Sequence, residues 1–317
     1  MAHMDLPIVL EEQVQMMKKY VLFRKKDKMR KFLAYAGYFR ASRYGKFLLS
    51  NVQNTGSKSK QSILFDLYRF DAELRKLLNY YCNRVEIRFK SAISNACALR
   101  LHDSTFYLNV QNYTPSKGEK DAKIRKQNIR CFRNSFYEDL FGREEKLRKN
   151  VVKYPELKEY RKGGSRQKHK LPIWVTLSYC EFGTMSMIYN YLRGDLRKYI
   201  LSYTFGNKKY SKKDTELVDT WLDAVRNLRN YCAHNSMVIG MTSSVVLRDP
   251  IDDVLVLPRD NDLFSRLYAL KKLLPEEDVT CLKKDLLKLL KKCKVDIYAL
   301  GILTKEWETM FDKINVF

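Results

Sequence analysis

The sequence has few residues that break helices and few histidines. Its 317 residues include 12 glycines, 7 prolines and 4 histidines. Long helices therefore have little to interrupt them. No stretch approaches the roughly 18 consecutive apolar residues of a membrane span, and no signal peptide stands out at the N-terminus. The opening Met1-Ala2-His3-Met4 has the form of a cloning scar, so His3 is set aside.

Cysteine is scattered along the chain and never forms a CxxC pair. The seven cysteines are Cys82, Cys97, Cys131, Cys180, Cys232, Cys281 and Cys293. An odd number at wide spacing is not typical of a disulfide framework, and no His/Cys spacing typical of a metal site occurs. We expect reduced, buried thiols, a cytoplasmic protein, and neither a metal nor another cofactor.

Acidic residues are scarce relative to basic ones. The 60 lysines and arginines face 36 aspartates and glutamates, which gives a net charge of +24 spread over the whole chain. This charge predicts a polyanionic partner, and an aromatic content of 13% favours RNA or single-stranded nucleic acid, since unstacked bases rest on flat side chains. A membrane surface is the rival partner, but no basic amphipathic helix or lipid anchor stands out.

Apolar residues recur mostly at spacings of three and four, which predicts an all-α fold. Asp71 is interpreted as the N-cap of a long helix that continues to Leu101, and Gly183 as the break between two apolar helices in "LPIWVTLSYCEFGTMSMIYNYL". Further helices are predicted over about 10–49, 215–234, 261–273 and 277–294. The stretch "SSVVLRDPIDDVLVLP" is the one candidate for extended structure.

Composition suggests three regions. Residues 5–55 form a predicted N-terminal helical, RNA-contacting region, residues 56–240 a helical core, and residues 241–317 a C-terminal helical subdomain. The core carries a charged insertion at about 105–170, in which residues 119–162 are predicted to form an exposed helical pair.

The stretch "RNLRNYCAHN" sets a histidine among arginines and asparagines. On a helical wheel Trp221, Val225, Leu228 and Cys232 share one face, which is predicted to be buried. Arg226, Asn230 and His234 form a polar stripe on the opposite face. Arg229 lies between the faces, and a spacing of five residues turns through about 140°, so a straight helix does not bring it to His234. Either the helix loosens near its end, or a second chain completes the site; a merely solvated face is the third interpretation.

Several motifs, in order along nearly the whole chain, carry a family resemblance. "RNYCAH" resembles the Arg-(polar)-x3-His signature of the HEPN superfamily, and "RN-x-CAH" is typical of its Abi-like (AbiD/AbiF-type) abortive-infection proteins. "GYFRASRY", "FDAELRKLLNYYCNRVEIRFK" and "LPIWVTLSYCEFGTMSMIY" resemble further elements of that group. "LGILTKEWETMF" is similar to its closing element, with Thr304 in place of a proline.

The resemblance implies a HEPN-type helical bundle with an N-terminal helical segment, inserted charged helices and a C-terminal helical subdomain. It also implies a metal-independent ribonuclease of an antiviral defence or toxin–antitoxin system. In such proteins two signatures meet across a dimer, and this chain has one, so we expect a homodimer. A small structured non-coding RNA is the expected controlling partner.

The residue types at the motif suit RNA cleavage, because RNA supplies its own nucleophile in the 2′-OH. His234 is the candidate general acid or base, since imidazole exchanges a proton near neutral pH. Arg229 is expected to stabilise the phosphorane, and Asn230 to orient the imidazole or bind the phosphate. Glu86 matches the family's acidic position and is expected either to position Arg229 or to form an ordinary ion pair.

Basic residues elsewhere are expected to bind RNA phosphates. The candidates are Arg24, Lys25, Lys26, Arg40, Arg43, Arg161, Arg166, Lys168, His169, Lys170, Lys208, Lys209, Lys212, Lys213 and Arg226. His102 is explained as a cation at the end of the long helix. The main alternative function is a non-catalytic RNA-binding protein that forms a ribonucleoprotein with a cognate RNA. A DNA-binding regulator is a third hypothesis, but no helix-turn-helix pair is recognisable.

Overall fold

The computed structural model describes residues 7–52, 56–114, 172–247 and 259–317. Within these ranges the chain is helical, with two isolated β-bridges and no strand, which confirms the all-α prediction. The helices are α1 (Leu10–Met17), α2 (Lys26–Ala36), α3 (Tyr38–Ser50), α4 (Gln61–Leu101), α5 (Ile173–Tyr179), α6 (Phe182–Tyr191), α7 (Gly194–Phe205), α8 (Lys212–Ala233), α9 (Leu263–Leu273), α10 (Glu276–Lys292) and α11 (Trp307–Lys313). Two short 3₁₀ turns, Phe106–Leu108 and Val110–Asn112, follow α4.

The chain divides into two units. Unit 1 comprises Met1–Cys82 and Asn227–Val316, and unit 2 comprises Asn83–Arg226 with Phe317. The helices α4 and α8 each contribute residues to both units. The predicted regions, with boundaries at 55/56 and 240/241, are consecutive stretches of the chain, whereas unit 1 combines two separate stretches. The functional regions stay a prediction.

The interpretation of Asp71 as an N-cap is wrong. The helix α4 begins ten residues earlier, at Gln61, because the buried Leu64 and Leu67 extend its apolar face upstream. Asp71 lies in the middle of the helix and is completely buried. Its carboxylate does accept backbone N–H groups, but from Val238 and Ile239, which are distant in sequence.

In unit 1, the helix α9 is buried along its whole length, including its basic residues. Lys271 Nζ donates to the carbonyls of Phe311 and Asp312, at 2.6 and 3.2 Å, and Lys272 Nζ donates to that of Asn315 at 2.7 Å. Carbonyls at the end of a helix have no partner within it. The two buried ammonium groups therefore hold the end of α11 and the residues after it.

In unit 2, the two apolar helices predicted around Gly183 are present as α5 and α6, but the break lies elsewhere. Cys180 and Glu181 have extended backbones and separate the helices, whereas Gly183 lies in the first turn of α6. The carbonyl of Cys180 accepts a hydrogen bond from Lys90 Nζ of α4. That bond holds the chain at the break, so the glycine is not needed there.

Three further predicted helices lie close to observed ones. The prediction of 215–234 corresponds to Lys212–Ala233, and those of 261–273 and 277–294 correspond to Leu263–Leu273 and Glu276–Lys292. Residues 243–247 form neither helix nor strand. The rest of the predicted extended stretch and the charged pair at 119–162 lie outside the described residues.

The cysteines only partly match their prediction. Cys82, Cys97, Cys180 and Cys232 are buried, but Cys281 is exposed and Cys293 is half-buried. None of these six forms a disulfide, and Cys131 lies outside the described residues. Cys281 is exposed because it lies on the outer face of α10, whose inner face is formed by Val279, Leu282 and Leu286. No helix in the described ranges combines the length and apolar character needed to cross a membrane.

Candidate active site at the end of helix α8

The candidate motif ends α8 with two capping hydrogen bonds. Ser236 N donates to the carbonyl of Tyr231 at 2.8 Å, and Asn235 N donates to that of Cys232 at 3.1 Å. Asn235 adopts a left-handed conformation with φ of 53°, which asparagine tolerates better than most residues. His234 N still bonds to the carbonyl of Asn230 at 3.0 Å. The chain therefore leaves the helix only after His234.

The predicted buried face of α8 is confirmed. Trp221, Val225 and Leu228 are completely buried, and Cys232 is 6% exposed. Burial raises the pKa of the Cys232 thiol to about 12, with a small opposing effect of the Arg75 charge. A thiol in this state is neutral at physiological pH and is a packing residue, not a nucleophile.

The polar side of the motif is open to solvent. Asn230 and His234 are exposed, and Arg229 is half-buried between the two faces, as the wheel predicts. Among the described residues, no side-chain hydrogen bond or ion pair engages Arg229, Asn230 or His234. Arg226 differs, because its guanidinium pairs with Asp223 at 3.0 Å in unit 2. The three candidate catalytic side chains are thus available for a ligand.

A buried ion pair holds the segment that follows His234. Asp71 Oδ1 accepts the N–H groups of Val238 and Ile239 at 3.0 and 2.9 Å. Its Oδ2 accepts the Tyr44 hydroxyl at 2.5 Å and the Arg75 guanidinium. We call Tyr44, Asp71, Arg75 and these two N–H groups the Asp71 clamp. Both carboxylate oxygens are fully hydrogen-bonded, which is the condition under which a buried charge is tolerated.

The Asp71 clamp joins α3, α4 and the turn after α8 within unit 1. Tyr44 is a neutral donor there, since burial raises its pKa to about 12 against the opposing charge of Arg75. Gly240, in the same turn, has φ of 63°, and a Cβ on it would collide with the Phe47 ring of α3. The chain immediately after the candidate site is therefore fixed from two sides.

The clamp residues were not predicted as functional. Tyr44 comes from "GYFRASRY", Asp71 and Arg75 come from "FDAELR", and the bonded turn follows "RNYCAHN". The sequence does contain a signal for them. Asp71 and Arg75 are spaced i and i+4 on the apolar face of a helix, and an ion pair on that face is expected to be buried.

A comparison with protein-family models matches residues 31–240 to the Abi-like protein family. This span contains the whole Asp71 clamp and the motif at the end of α8. The chain belongs to the Abi-like family. Membership indicates a role in abortive infection, a form of phage defence. Comparison with curated proteins and with solved structures gave no match.

In this Abi-like protein Glu86 is buried in unit 2 and pairs with Lys90, with 2.7 Å between Oε1 and Nζ. This is the ordinary ion pair that was one of the two expectations for Glu86. An action of Glu86 on Arg229 stays a prediction.

The predicted RNA-binding residues of the Abi-like protein lie in several places. In unit 1, Arg24, Lys25 and Lys26 are exposed at the start of α2, and on α3 Arg40 is half-buried and Arg43 exposed. In unit 2, the exposed ones are Lys208, Lys209, Lys212 and Lys213, between α7 and the first turn of α8. Arg161, Arg166, Lys168, His169 and Lys170 lie outside the described residues.

The described residues of the Abi-like protein include no cluster of three or more His, Cys, Asp or Glu side chains placed to hold a metal ion. His102 follows the last residue of α4, and its role as a cation at the helix end stays a prediction.

Proposed function

We propose that this Abi-like protein is a metal-independent HEPN endoribonuclease of a phage-defence or toxin–antitoxin system. Its substrate is RNA, and its activity is held in check by a small structured RNA. The family supports the defence role, and the net charge of +24 supports a polyanionic substrate. The nuclease chemistry rests on the residues at the end of α8.

The reaction needs a base, an acid and a cation. A base takes the proton of the 2′-OH, the 2′ oxygen bonds to phosphorus, and the bond between phosphorus and the 5′ oxygen breaks as an acid protonates that oxygen. The products are a 2′,3′-cyclic phosphate and a 5′-OH. His234 serves as base or acid, Arg229 binds the equatorial phosphate oxygens of the phosphorane, and Asn230 orients the imidazole or binds the phosphate.

One observation carries this proposal. The side chains of Arg229, Asn230 and His234 are unengaged among the described residues, whereas the backbone that follows them is fixed by buried hydrogen bonds to Asp71. A solvated helix face does not require such support. Catalytic groups do, because a displacement of about 1 Å costs roughly 10²-fold in rate.

The chain has one such motif, so a single copy supplies one imidazole and one guanidinium. We propose that two copies form a homodimer in which two motifs share one site. This arrangement supplies both a base and an acid. It also lets Arg229 of one copy approach His234 of the other, although the two side chains are about 140° apart on a single helix.

The test is cleavage of end-labelled RNA by wild type, His234→Ala and His234→Asn. The control is His102→Asn, which removes the other histidine at the end of a described helix. We expect the wild type to yield cyclic phosphate ends. The His234 variants should cleave at least about 10²-fold more slowly and keep their affinity for RNA. Equal rates for His234→Asn and wild type would refute the proposal.

The second candidate function is a non-catalytic RNA-binding protein, favoured by the exposed lysines between α7 and α8. It predicts that purified protein carries a discrete RNA species and never cleaves it. In that case His234→Ala would weaken binding instead of separating binding from cleavage.

A further inference from the structure

Two aromatic side chains flank the bend between α2 and α3 and point into solvent. Tyr35 is 84% exposed and Phe39 is 77% exposed, the highest fractions among the large hydrophobic residues of the described ranges. Between them Gly37 turns the chain with φ of 76° and ψ of 145°, a conformation that favours glycine. The bend therefore presents two rings on neighbouring helix ends.

Other residues fill the inner faces of α2 and α3, so the two rings are not part of the core. The next aromatic residue upstream, Phe32, packs on Phe65 and Tyr68 with centroid distances of 4.7 and 5.1 Å. The inner faces of α2 and α3 are filled by aliphatic and aromatic residues such as Leu33 and Tyr44, which are buried. Tyr35 and Phe39 lie on the outer faces, where a helix at a protein surface normally carries polar residues.

The segment that carries the two rings is strongly basic, although Arg30 of α2 pairs with Glu11 and Asp27, at 3.0 Å each. Residues 28–65 contain eight lysines and arginines and no aspartate or glutamate. Lys31 precedes Tyr35 by one helical turn, and the Arg43 guanidinium lies 5.5 Å from the centroid of the Phe39 ring. Two copies of such a face would repel each other, whereas a polyanion would be attracted.

We propose that Tyr35 and Phe39 form a stacking platform for unpaired bases of RNA, with Lys31 and Arg43 on the adjoining phosphates. Bases have flat faces that stack on aromatic rings without regard to sequence, and only unpaired bases expose them. The platform rests on the proposed function in one respect, namely that RNA is the partner. It adds single-stranded nucleotides as the class of ligand recognised.

The test compares the affinity of wild type and Tyr35→Ala/Phe39→Ala for a fluorescent single-stranded RNA and for its duplex. We expect each lost ring to weaken single-strand binding by about 5- to 100-fold. Duplex binding should change less than twofold. Tyr80→Ala is the matched control, because Tyr80 is 58% exposed but borders a groove that also contains Glu73 and Asp285.

Salt dependence separates the rings from the cations. Arg43→Ala should reduce the slope of log affinity against log salt by about 0.7, whereas the double aromatic variant should keep the slope of wild type. Tyr35→Phe/Phe39→Tyr keeps both rings and should bind as wild type does, which shows that the double alanine variant fails for lack of stacking.

Three outcomes would overturn the platform: unchanged single-strand affinity in the double alanine variant, an equal loss for duplex, or a change in its sedimentation that marks the face as a contact between copies. The nuclease proposal is tested separately. If the double variant loses single-strand binding and wild type never cleaves, the platform stands and the nuclease falls. If it binds normally and His234→Ala abolishes cleavage, the reverse holds.

Discussion

Two helices of this protein end on a histidine beside a left-handed backbone, and the two ends are held in different ways. At the end of α4, His102 itself has φ of 50°, and the next turn is local, since Asp103 Oδ1 accepts the N–H and hydroxyl of Thr105 at 2.7 and 2.8 Å. At the end of α8, Asn235 takes the left-handed conformation, and the turn is bonded to Asp71, 167 residues away for Val238.

The arginines at the two ends also differ. The Arg100 guanidinium lies 5.4 Å from the centroid of the Tyr199 ring, whereas Arg229 has no side-chain partner among the described residues. A histidine at a helix end is thus common to both places and does not mark a site. Long-range support and an unengaged cation distinguish the end of α8.

The largest effect is expected from the support itself. Asp71→Asn leaves the Arg75 guanidinium buried without a negative partner, so the free energy of unfolding should fall by about 3–5 kcal/mol. Asp103→Asn, the matched change at the other end, should cost no more than about 1 kcal/mol. Urea denaturation measures both, and similar losses in the two variants would erase the distinction between the ends.

The unengaged cation is tested by Arg229→Lys and Arg100→Lys. Lysine keeps the charge but not the planar set of donors, so Arg229→Lys should reduce the rate of RNA cleavage by about 10²-fold and leave RNA affinity nearly unchanged. Arg100→Lys should cleave within twofold of wild type. A similar rate for both lysine variants would remove Arg229 from the site.

A pH profile of RNA cleavage tests the imidazole of His234 only if the effect of Asp219, in unit 2, is measured separately. Burial raises the pKa of Asp219 to about 7, although the Arg197 charge opposes this. The folded-state pKa lies above the unfolded value near 3.8, so its stabilising contribution is present below about pH 4 and is lost as pH rises through 7.

We expect Asp219→Asn to flatten this loss, which amounts to about 1–3 kcal/mol after solvent screening. Thermal denaturation between pH 4 and 8 checks the slope, whatever the overall stability of the variant. A change in cleavage rate near pH 7 that survives in Asp219→Asn belongs to another group, and His234→Asn then tests the imidazole.

The smallest effects are expected at the left-handed residues. His102→Gly should stabilise the protein by about 0.5–1 kcal/mol, because histidine is strained at φ of 50° and glycine is not. Asn235→Gly should change the free energy of unfolding by no more than about 0.3 kcal/mol, since asparagine tolerates this conformation. Chemical denaturation would contradict this if the two substitutions had equal effects.

Local features of the fold were predictable from the sequence, and long-range ones were not. The periodicity of Trp221, Val225, Leu228 and Cys232 predicted the buried face of α8, because a helix repeats every 3.6 residues. The sequence predicts an N-cap at Asp71 because an aspartate before an apolar run is the signature of one. Its true partners are Tyr44, 27 residues before it, and the turn after α8.

The break between α5 and α6 shows the same limit. Glycine is a local signal for the end of a helix, and this signal predicts the break at Gly183. The bond from Lys90 to the Cys180 carbonyl links positions 90 residues apart, and no spacing along the chain encodes it. Arg229, Asn230 and His234, in contrast, lie within six positions and could be found as a motif, whereas Glu86 came only from the family resemblance.

The close approach of Gly240 to Phe47 offers a genetic tool. Gly240→Ala would force the ring aside at a backbone with φ of 63°, so the turn after α8 should hold at low temperature and open on warming. Phe47→Leu, which vacates the space, is the natural suppressor. The alanine variant would thus be a temperature-sensitive allele, with which phage protection could be switched by growth temperature while the protein is present throughout.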